Sequence, residues 1–244
     1  MNVAICSLFR DSASGPELAR YQWQMSQLAW PREETRVFAL EGDSVDHTWD
    51  ELTGWALDDE RIFPMQRHQG TRAPRSVEDA TRLVALSELM TLCISETLAD
   101  DWADAVLWVE SDLIWTPDLI ERLARHRADA VAPWVYIQTK ARGNTDPGYL
   151  VGMGTDGRVF YDTWAFRHVN DKRFSPHERP PVNRHAFPVS SAGSCLLMTR
   201  EAAEAAMTPR DMAIVGSCWS IRDAGMTVLV DPSTVIWHPW PRGN

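Results

Sequence analysis

Glu110 and Asp112 stand one residue apart at the end of an apolar run, Val106-Leu-Trp-Val-Glu-Ser-Asp-Leu-Ile. Four apolar residues, Val106 to Val109, read as a buried strand. In an extended chain residues i and i+2 point the same way, so the two carboxylates flanking Ser111 aim at one spot past the strand's carboxyl end. Open α/β sheets bind ligands at that edge. Two hard oxygen donors there suit a divalent ion carrying a diphosphate. The competing reading is a polar strand end followed by a helix start, because Thr116-Pro117-Asp118 is a good helix entry.

The elements that must position this pair are legible on either side of it. Val3 to Phe9 reads as a strand, Pro16 to Ala29 as a helix carrying Leu18, Tyr21, Met25 and Leu28 on one face, and Arg36 to Leu40 as a second strand. Thr48 to Leu57 is a short helix and Arg61 to Met65 a short strand. Ser76 to Leu98 is a long amphipathic helix, with Ser76 as its cap and Asp79 as the acidic partner three positions on. After Val109, Pro117 to Arg127 is helical and Ala130 to Pro133 a buried strand. Strand and helix alternate throughout, which predicts a mostly parallel sheet wrapped by helices. Beyond Trp134 the pattern changes to a hairpin around Gly154-Thr-Asp-Gly and a long polar stretch from Asp162 to Pro188. A strand from Val189 to Met198, helices at 200–207 and 211–224 stopped by Gly225, and final strands at 226–230 and 235–237 complete the chain. The fold class expected is α/β, with a small antiparallel portion in the second half.

Composition narrows the function. The 244 residues, 44% hydrophobic, suffice for one large domain. No run of about 18 apolar residues is present, so no membrane helix is expected. The first residues resemble a strand and not a signal peptide, and the four dispersed cysteines, Cys6, Cys93, Cys195 and Cys218, read as buried thiols. Both point to the cytoplasm. A net charge of −10 opposes non-specific nucleic-acid binding. Within that acidic chain, Arg67-His-Gln-Gly-Thr-Arg-Ala-Pro-Arg is either a solvated loop or a clamp on an anion. The twelve tryptophans exceed what a core of this size needs, and some can stack on sugars or bases.

Four stretches, in this order, resemble GT-A fold glycosyltransferases, close to family 2 and the mannan-polymerase-type enzymes. Leu107-Trp-Val-Glu-Ser-Asp-Leu is similar to the strand ending in the DxD motif, and Glu41-Gly-Asp-Ser-Val-Asp-His-Thr to the acidic turn facing the nucleotide base. Ser190-Ser-Ala-Gly-Ser-Cys-Leu-Leu-Met-Thr-Arg-Glu resembles the strand and helix start beneath the acceptor. Arg222 to His238 resembles the closing segment with its terminal histidine. The resemblance spans nearly the whole chain, as a single domain with a nucleotide-sugar half at 1–115 and an acceptor half at 116–244.

The resemblance implies a nucleotide diphosphate sugar donor, a hydroxyl acceptor and Mn²⁺ or Mg²⁺, with an imidazole beside carboxylates favouring Mn²⁺. Asp112 and His238 would hold the metal, and Glu110 would share it or hold the donor ribose. Ser7, Phe9, Arg10, Glu41, Asp43 and Ser111 would line the donor pocket, and Arg72, Arg75 and Arg82 would meet the diphosphate. Tyr161, Asp162, Trp164, Ser191 and Gly193 would face the acceptor. The chain departs from family 2 at one place. Counting back from Gly225, Ala213 and Ile214 stand where many members carry a Glu-Asp pair. An inverting transferase needs a carboxylate to take the acceptor proton, and Asp211 and Asp162 are the candidates; a retaining one needs no base there. The acceptor stays open between a glycan, a small molecule and a hydroxylated DNA base, the last opposed by the negative charge. A nucleotidyltransferase and a non-catalytic nucleotide-sugar-binding module are the alternatives from other classes.

Overall fold

A computed structural model describes residues 1–70, 79–137, 159–160, 165–175, 178–181, 185–207 and 213–239. The strands are β1 (Val3–Phe9), β2 (Thr35–Glu41), β3 (Ile62–Gln66), β4 (Ala105–Val109), β5 (Ala130–Ile137), β6 (Val159–Phe160), β7 (Phe187–Pro188), β8 (Cys195–Thr199) and β9 (Val228–His238). The helices are α1 (Glu17–Ser26), α2 (Thr48–Asp58), α3 (Ala80–Thr97), α4 (Leu119–Ala124), α5 (Arg200–Ala206) and α6 (Ala213–Asp223). Among the described residues these strands form one sheet in the order β3-β2-β1-β4-β8-β5-β9-β7, with β6 paired to β5.

Strands β1 to β4 are mutually parallel where they pair. Their sequences are nearly continuous apolar runs because helices cover both faces; β1 and β4 are buried at all but one of their residues. β8 runs antiparallel to both β4 and β5, and β9 returns parallel to β5. The antiparallel portion expected in the second half is therefore inserted into the sheet itself. β1 leads through α1 to β2 on one side, while β4 lies on its other side. That reversal opens a crevice between the carboxyl ends of β1 and β4, the place where open α/β sheets take ligands.

Several expectations shift. The long helix begins at Ala80 and not Ser76, because Asp79 is itself the N-cap, accepting from the Thr81 and Arg82 N–H groups. Ser76 lies outside the described residues, as does the Tyr149 to Met153 arm of the expected hairpin. The other arm, β6, lies against β5. The strand expected from Val189 is regular only from Cys195. Gly225 does end α6: it sits at φ +83°, and its N–H and that of Met226 close onto the Arg222 and Ile221 carbonyls. The four cysteines are buried and free. Among the described residues no helix is long and apolar enough to cross a membrane.

The two final strands are one long strand broken by a bulge. Asp231 pairs with Pro133 and Val235 with Trp134, so residues 232–234 have no counterpart on β5. Asp231 anchors the bulge. Its buried carboxylate accepts from the Ser233 N–H and hydroxyl, the Thr234 hydroxyl and Arg125, and lies 3.0 Å from His126 Nε2. Burial alone would raise its pKa; the Ser233, Thr234 and His126 hydrogen bonds outweigh this and hold it far below the usual carboxylate range. The bulge sets the register of everything that follows, including His238 opposite Ile137.

Candidate active site at the crevice

A cavity of about 790 Å³ opens at the carboxyl ends of β1, β2 and β4. Glu110, Ser111 and Asp112 all line it. The chain does not stay extended past β4, as i, i+2 alternation assumes. It turns, with the Leu113 N–H donating to the Glu110 carbonyl. The turn is held by side chains of α1. Arg20 Nη2 donates to the Asp112 carbonyl at 2.8 Å, Gln24 Nε2 to the Leu113 carbonyl at 3.1 Å, and the Trp115 N–H to Gln24 Oε1 at 3.1 Å. Nothing in the sequence singles out Arg20 and Gln24, because their partners lie about ninety positions away.

His238 reaches the turn through β9. Ile114 and Trp237 exchange backbone hydrogen bonds at 2.7 and 2.9 Å, which sets the next residue beside Asp112. His238 Nε2 lies 3.0 Å from Asp112 Oδ2. Its Nδ1 lies 2.6 Å from the Pro239 carbonyl, an acceptor only, so Nδ1 carries the hydrogen and Nε2 faces the carboxylate. Burial lowers the imidazole pKa, but the hydrogen bond and charge of Asp112, with Glu110 behind, outweigh it and raise the pKa. Asp112 Oδ1 is buried and has no hydrogen-bond partner among the described residues. An orphaned carboxylate oxygen beside an oriented imidazole fits a divalent ion. Among the described residues no three acidic, His or Cys side chains are gathered as a complete metal cluster; the close contact is the Asp112–His238 pair.

The remaining expected residues divide. Phe9, Arg10, Asp43 and Arg82 line the cavity. Ser7 does not: it is fully buried beneath β4, its hydroxyl 2.6 Å from the Tyr21 hydroxyl and donating to the Val109 carbonyl. The residue after a strand faces a crevice, whereas Ser7 lies within β1 and points into the core. Glu41 is buried too, and its carboxylate accepts from the Ser44 N–H and Gln66 Nε2. It shapes the turn and leaves the surface to Asp43, whose own carboxylate accepts from the Gln69 and Gly70 N–H groups. Ser191 and Gly193 are buried, with the Ser191 hydroxyl donating to the Ala165 carbonyl; neither presents a surface to an acceptor. Phe166 packs in the core against Phe174. Arg72, Arg75, Tyr161, Asp162, Trp164 and Asp211 lie outside the described residues.

The mouth of the cavity is tied together by one polar knot. Asp46 accepts from the N–H and hydroxyl of both Ser14 and Thr48, while the Thr48 hydroxyl accepts from the Ser12 and Ala13 N–H groups. This joins the loop after β1, which carries Arg10, to the loop after β2, which carries Asp43. Burial nudges the Asp46 pKa up, and the hydroxyls and amides outweigh it, bringing it down to about 2. Asp46→Ala should lower stability by about 1 kcal/mol, the net worth of an intramolecular hydrogen bond, and weaken binding of a ligand in this cavity. Because the folded-state pKa is depressed, the carboxylate's contribution is complete above the unfolded value and is lost as pH falls from about 4 toward about 2. Urea titrations of both proteins at pH 7 and pH 3 should therefore show a smaller difference at the lower pH.

The walls deeper in the cavity were not foreseen from the sequence. Leu86, Leu89 and Met90 of α3 and Ile214 of α6 line it, as does Trp108 of β4. Their signal was present as the apolar face of a long helix, but a face that packs and a face that lines a cavity have the same spacing. Ala213 begins α6 at φ +46°, in the left-handed region that costs an L-residue roughly 1–2 kcal/mol.

This strand order, with β8 antiparallel between β4 and β5, is the GT-A fold. No protein-family model matches the chain, and no curated protein matches it. Solved structures do. A mannosyltransferase from Pyrobaculum calidifontis, in complex with GDP-Man and Mn²⁺, is 13% identical with a TM-score of 0.58, covering 99% of this chain and 57% of that one. S. aureus TarS 1–349, in complex with UDP-GlcNAc, is 11% identical with a TM-score of 0.54, covering 100% of this chain and 60% of that one. GalNAc-T7, with UDP, GalNAc and Mn²⁺, is 12% identical with a TM-score of 0.62, covering 99% and 43%. The chain thus spans 43–60% of the length of these neighbours.

Proposed function

We propose that the chain is a glycosyltransferase that takes a sugar from a nucleoside diphosphate sugar and passes it to a hydroxyl acceptor, with a divalent metal. The observation that carries this reading is Asp112 beside His238 at the mouth of a ligand-sized cavity, with Asp112 Oδ1 left without a partner among the described residues. The fold adds to it, since the neighbours named above were solved with nucleotide sugars or Mn²⁺.

Asp112 and His238 would hold Mn²⁺ or Mg²⁺, with Glu110 sharing it or binding the ribose, and the bound ion would supply positive charge for the departing diphosphate. Arg10 and Arg82, which line the cavity, meet the diphosphate, and Arg72 and Arg75 are further candidates for it. Phe9, Asp43, Gln69 and Ser111 line the same cavity around the base and ribose. The first half of the chain, 1–115, makes the donor side, and the second half, 116–244, the acceptor side. Tyr161, Asp162 and Trp164 meet the acceptor, which is a glycan, a small molecule or a hydroxylated base in DNA. Asp211 or Asp162 takes the acceptor proton if the reaction inverts.

A panel of nucleotide sugars tests this by thermal shift, with and without Mn²⁺. At about 100 times its Kd the matching donor should raise Tm by about 5–10 °C in Mn²⁺ and much less in EDTA. Nucleoside diphosphate should then be released on adding an acceptor. Absence of any metal-dependent shift across the panel overturns the reading. The apolar start of α6, Ala213-Ile214, favours one alternative, a nucleotide-sugar-binding module; it predicts the shift without turnover under any acceptor.

A further inference from the structure

Gln24 is buried on α1 and is not part of the cavity wall, and neither is Arg20, one turn before it. Both side chains nevertheless end on the main chain of the turn that carries Asp112. Gln24 uses its amide twice. Nε2 donates to the Leu113 carbonyl and Oε1 accepts from the Trp115 N–H, each at 3.1 Å. The two bonds bracket Ile114, the residue whose N–H and carbonyl both pair with Trp237. That pairing joins the segment carrying Asp112 to the strand carrying His238.

The neighbouring anchors leave this joint to α1. The Glu110 N–H is fixed on the Ser194 carbonyl, and His238 is fixed by the pairing of β9 with Ile137 in β5. Asp112 lies between these anchors in a turn, where its main-chain carbonyl accepts from Arg20 at 2.8 Å. A side chain that holds both flanks of Ile114 must donate at one atom and accept at the other. The glutamine amide does both, whereas an ionised glutamate only accepts and a methionine thioether only accepts weakly. Without the bracket, Ile114 is free to shift against Trp237, and the Asp112 carboxylate shifts with it relative to His238. A metal held by both side chains tolerates little such movement, which is why groups behind the ligands tune metal affinity.

We propose that Gln24, assisted by Arg20, is a positioning residue that sets the spacing of Asp112 and His238 and thereby the affinity for the divalent ion. The proposal rests on the donor-site reading above and adds the residues that tune its metal. UDP and GDP are titrated calorimetrically in EDTA into the wild-type protein, Gln24→Met, Gln24→Glu and Arg20→Met. Mn²⁺ is then titrated into each nucleotide-saturated protein. The variants should bind nucleotide in EDTA as the wild type does, because neither side chain touches the cavity. Affinity for Mn²⁺ should nevertheless fall by about ten- to hundredfold in both Gln24 variants, the range for a lost partner behind a metal ligand. Arg20→Met should move it in the same direction. Wild-type Mn²⁺ affinity in either Gln24 variant overturns the proposal and leaves the metal site standing. So does a parallel loss of nucleotide affinity in EDTA, which marks a residue that only supports the fold. Wild-type protein that binds neither nucleotide, or binds one with no response to Mn²⁺, overturns both readings. Should the Gln24 variants not fold, Arg20→Met decides by the same criterion.

Discussion

Asp112→Ala is expected to reduce donor turnover by about 10³-fold, because a metal that neutralises a leaving diphosphate is worth several kcal/mol of transition-state stabilisation. The substitution removes both the oxygen that meets His238 and the orphaned Oδ1. The fold should survive. The backbone of the turn is held by contacts that the alanine variant keeps, since none of them uses the Asp112 side chain. Arg20 donates to the Asp112 main-chain carbonyl, Gln24 ties the Leu113 carbonyl to the Trp115 N–H, and Ile114 pairs with Trp237. A melting temperature within a few degrees of wild type, together with lost turnover, separates a ligand from a structural residue. His238→Ala should give a smaller loss, since the anionic Asp112 carboxylate, with both of its oxygens, remains. Equal turnover in Asp112→Ala and wild type would remove the metal from the account.

Asp231→Ala is expected to cost about 3–5 kcal/mol of stability, the range for stripping one partner from a buried charged network. The lost carboxylate leaves the buried Thr234 hydroxyl without its acceptor and removes the anion that faces Arg125 and His126. Guanidinium unfolding followed by fluorescence should show the midpoint fall. The pH dependence has a defined sign. The folded-state pKa is depressed, so the unfolded chain binds the proton first, and stability drops as pH falls below about 4. Asp231→Ala should flatten that acid limb. A second consequence follows from register. The bulge precedes His238, and a one-residue slip in β9 would turn its side chains to the opposite face. Metal-dependent ligand binding should therefore weaken in Asp231→Ala although residue 231 lies far along the strand from the site.

The alternating apolar runs were enough to place β1, β2, β4 and the helices between them within a few residues, because parallel strands buried on both faces read as plain hydrophobic runs. Glu110 and Asp112 stood out as two carboxylates at the abrupt end of an apolar run, while His238 was pointed to only by the resemblance of the closing segment. What the sequence hid depended on distance in the chain. Ser7 and Glu41 are polar in the right neighbourhood, but whether a side chain faces a crevice or the core depends on strand rotation, and both turned inward to hydrogen-bond Tyr21, Ser44 and Gln66. The long helix start moved from Ser76 to Asp79 because either residue type can cap and only the local backbone decides. The bulge at Asp231 was read as a break between two strands, since Pro232-Ser233 resembles a turn until the strand on the far side is seen to resume the same pairing. Trp108 was counted as core, and the missing acceptor for its N–H is visible only once its neighbours are known.

The proposed reading centres on joint binding of a divalent ion and a nucleoside diphosphate at Asp112 and His238. Isothermal titration of UDP and of GDP into the wild-type protein, once with Mn²⁺ and once with EDTA, tests it most directly, with Asp112→Ala as the matched control. One nucleotide should bind, tightening by about tenfold or more with Mn²⁺, and Asp112→Ala should show no such gain. Equal affinity with and without the metal, or the same metal-dependent gain in Asp112→Ala as in wild type, would contradict it.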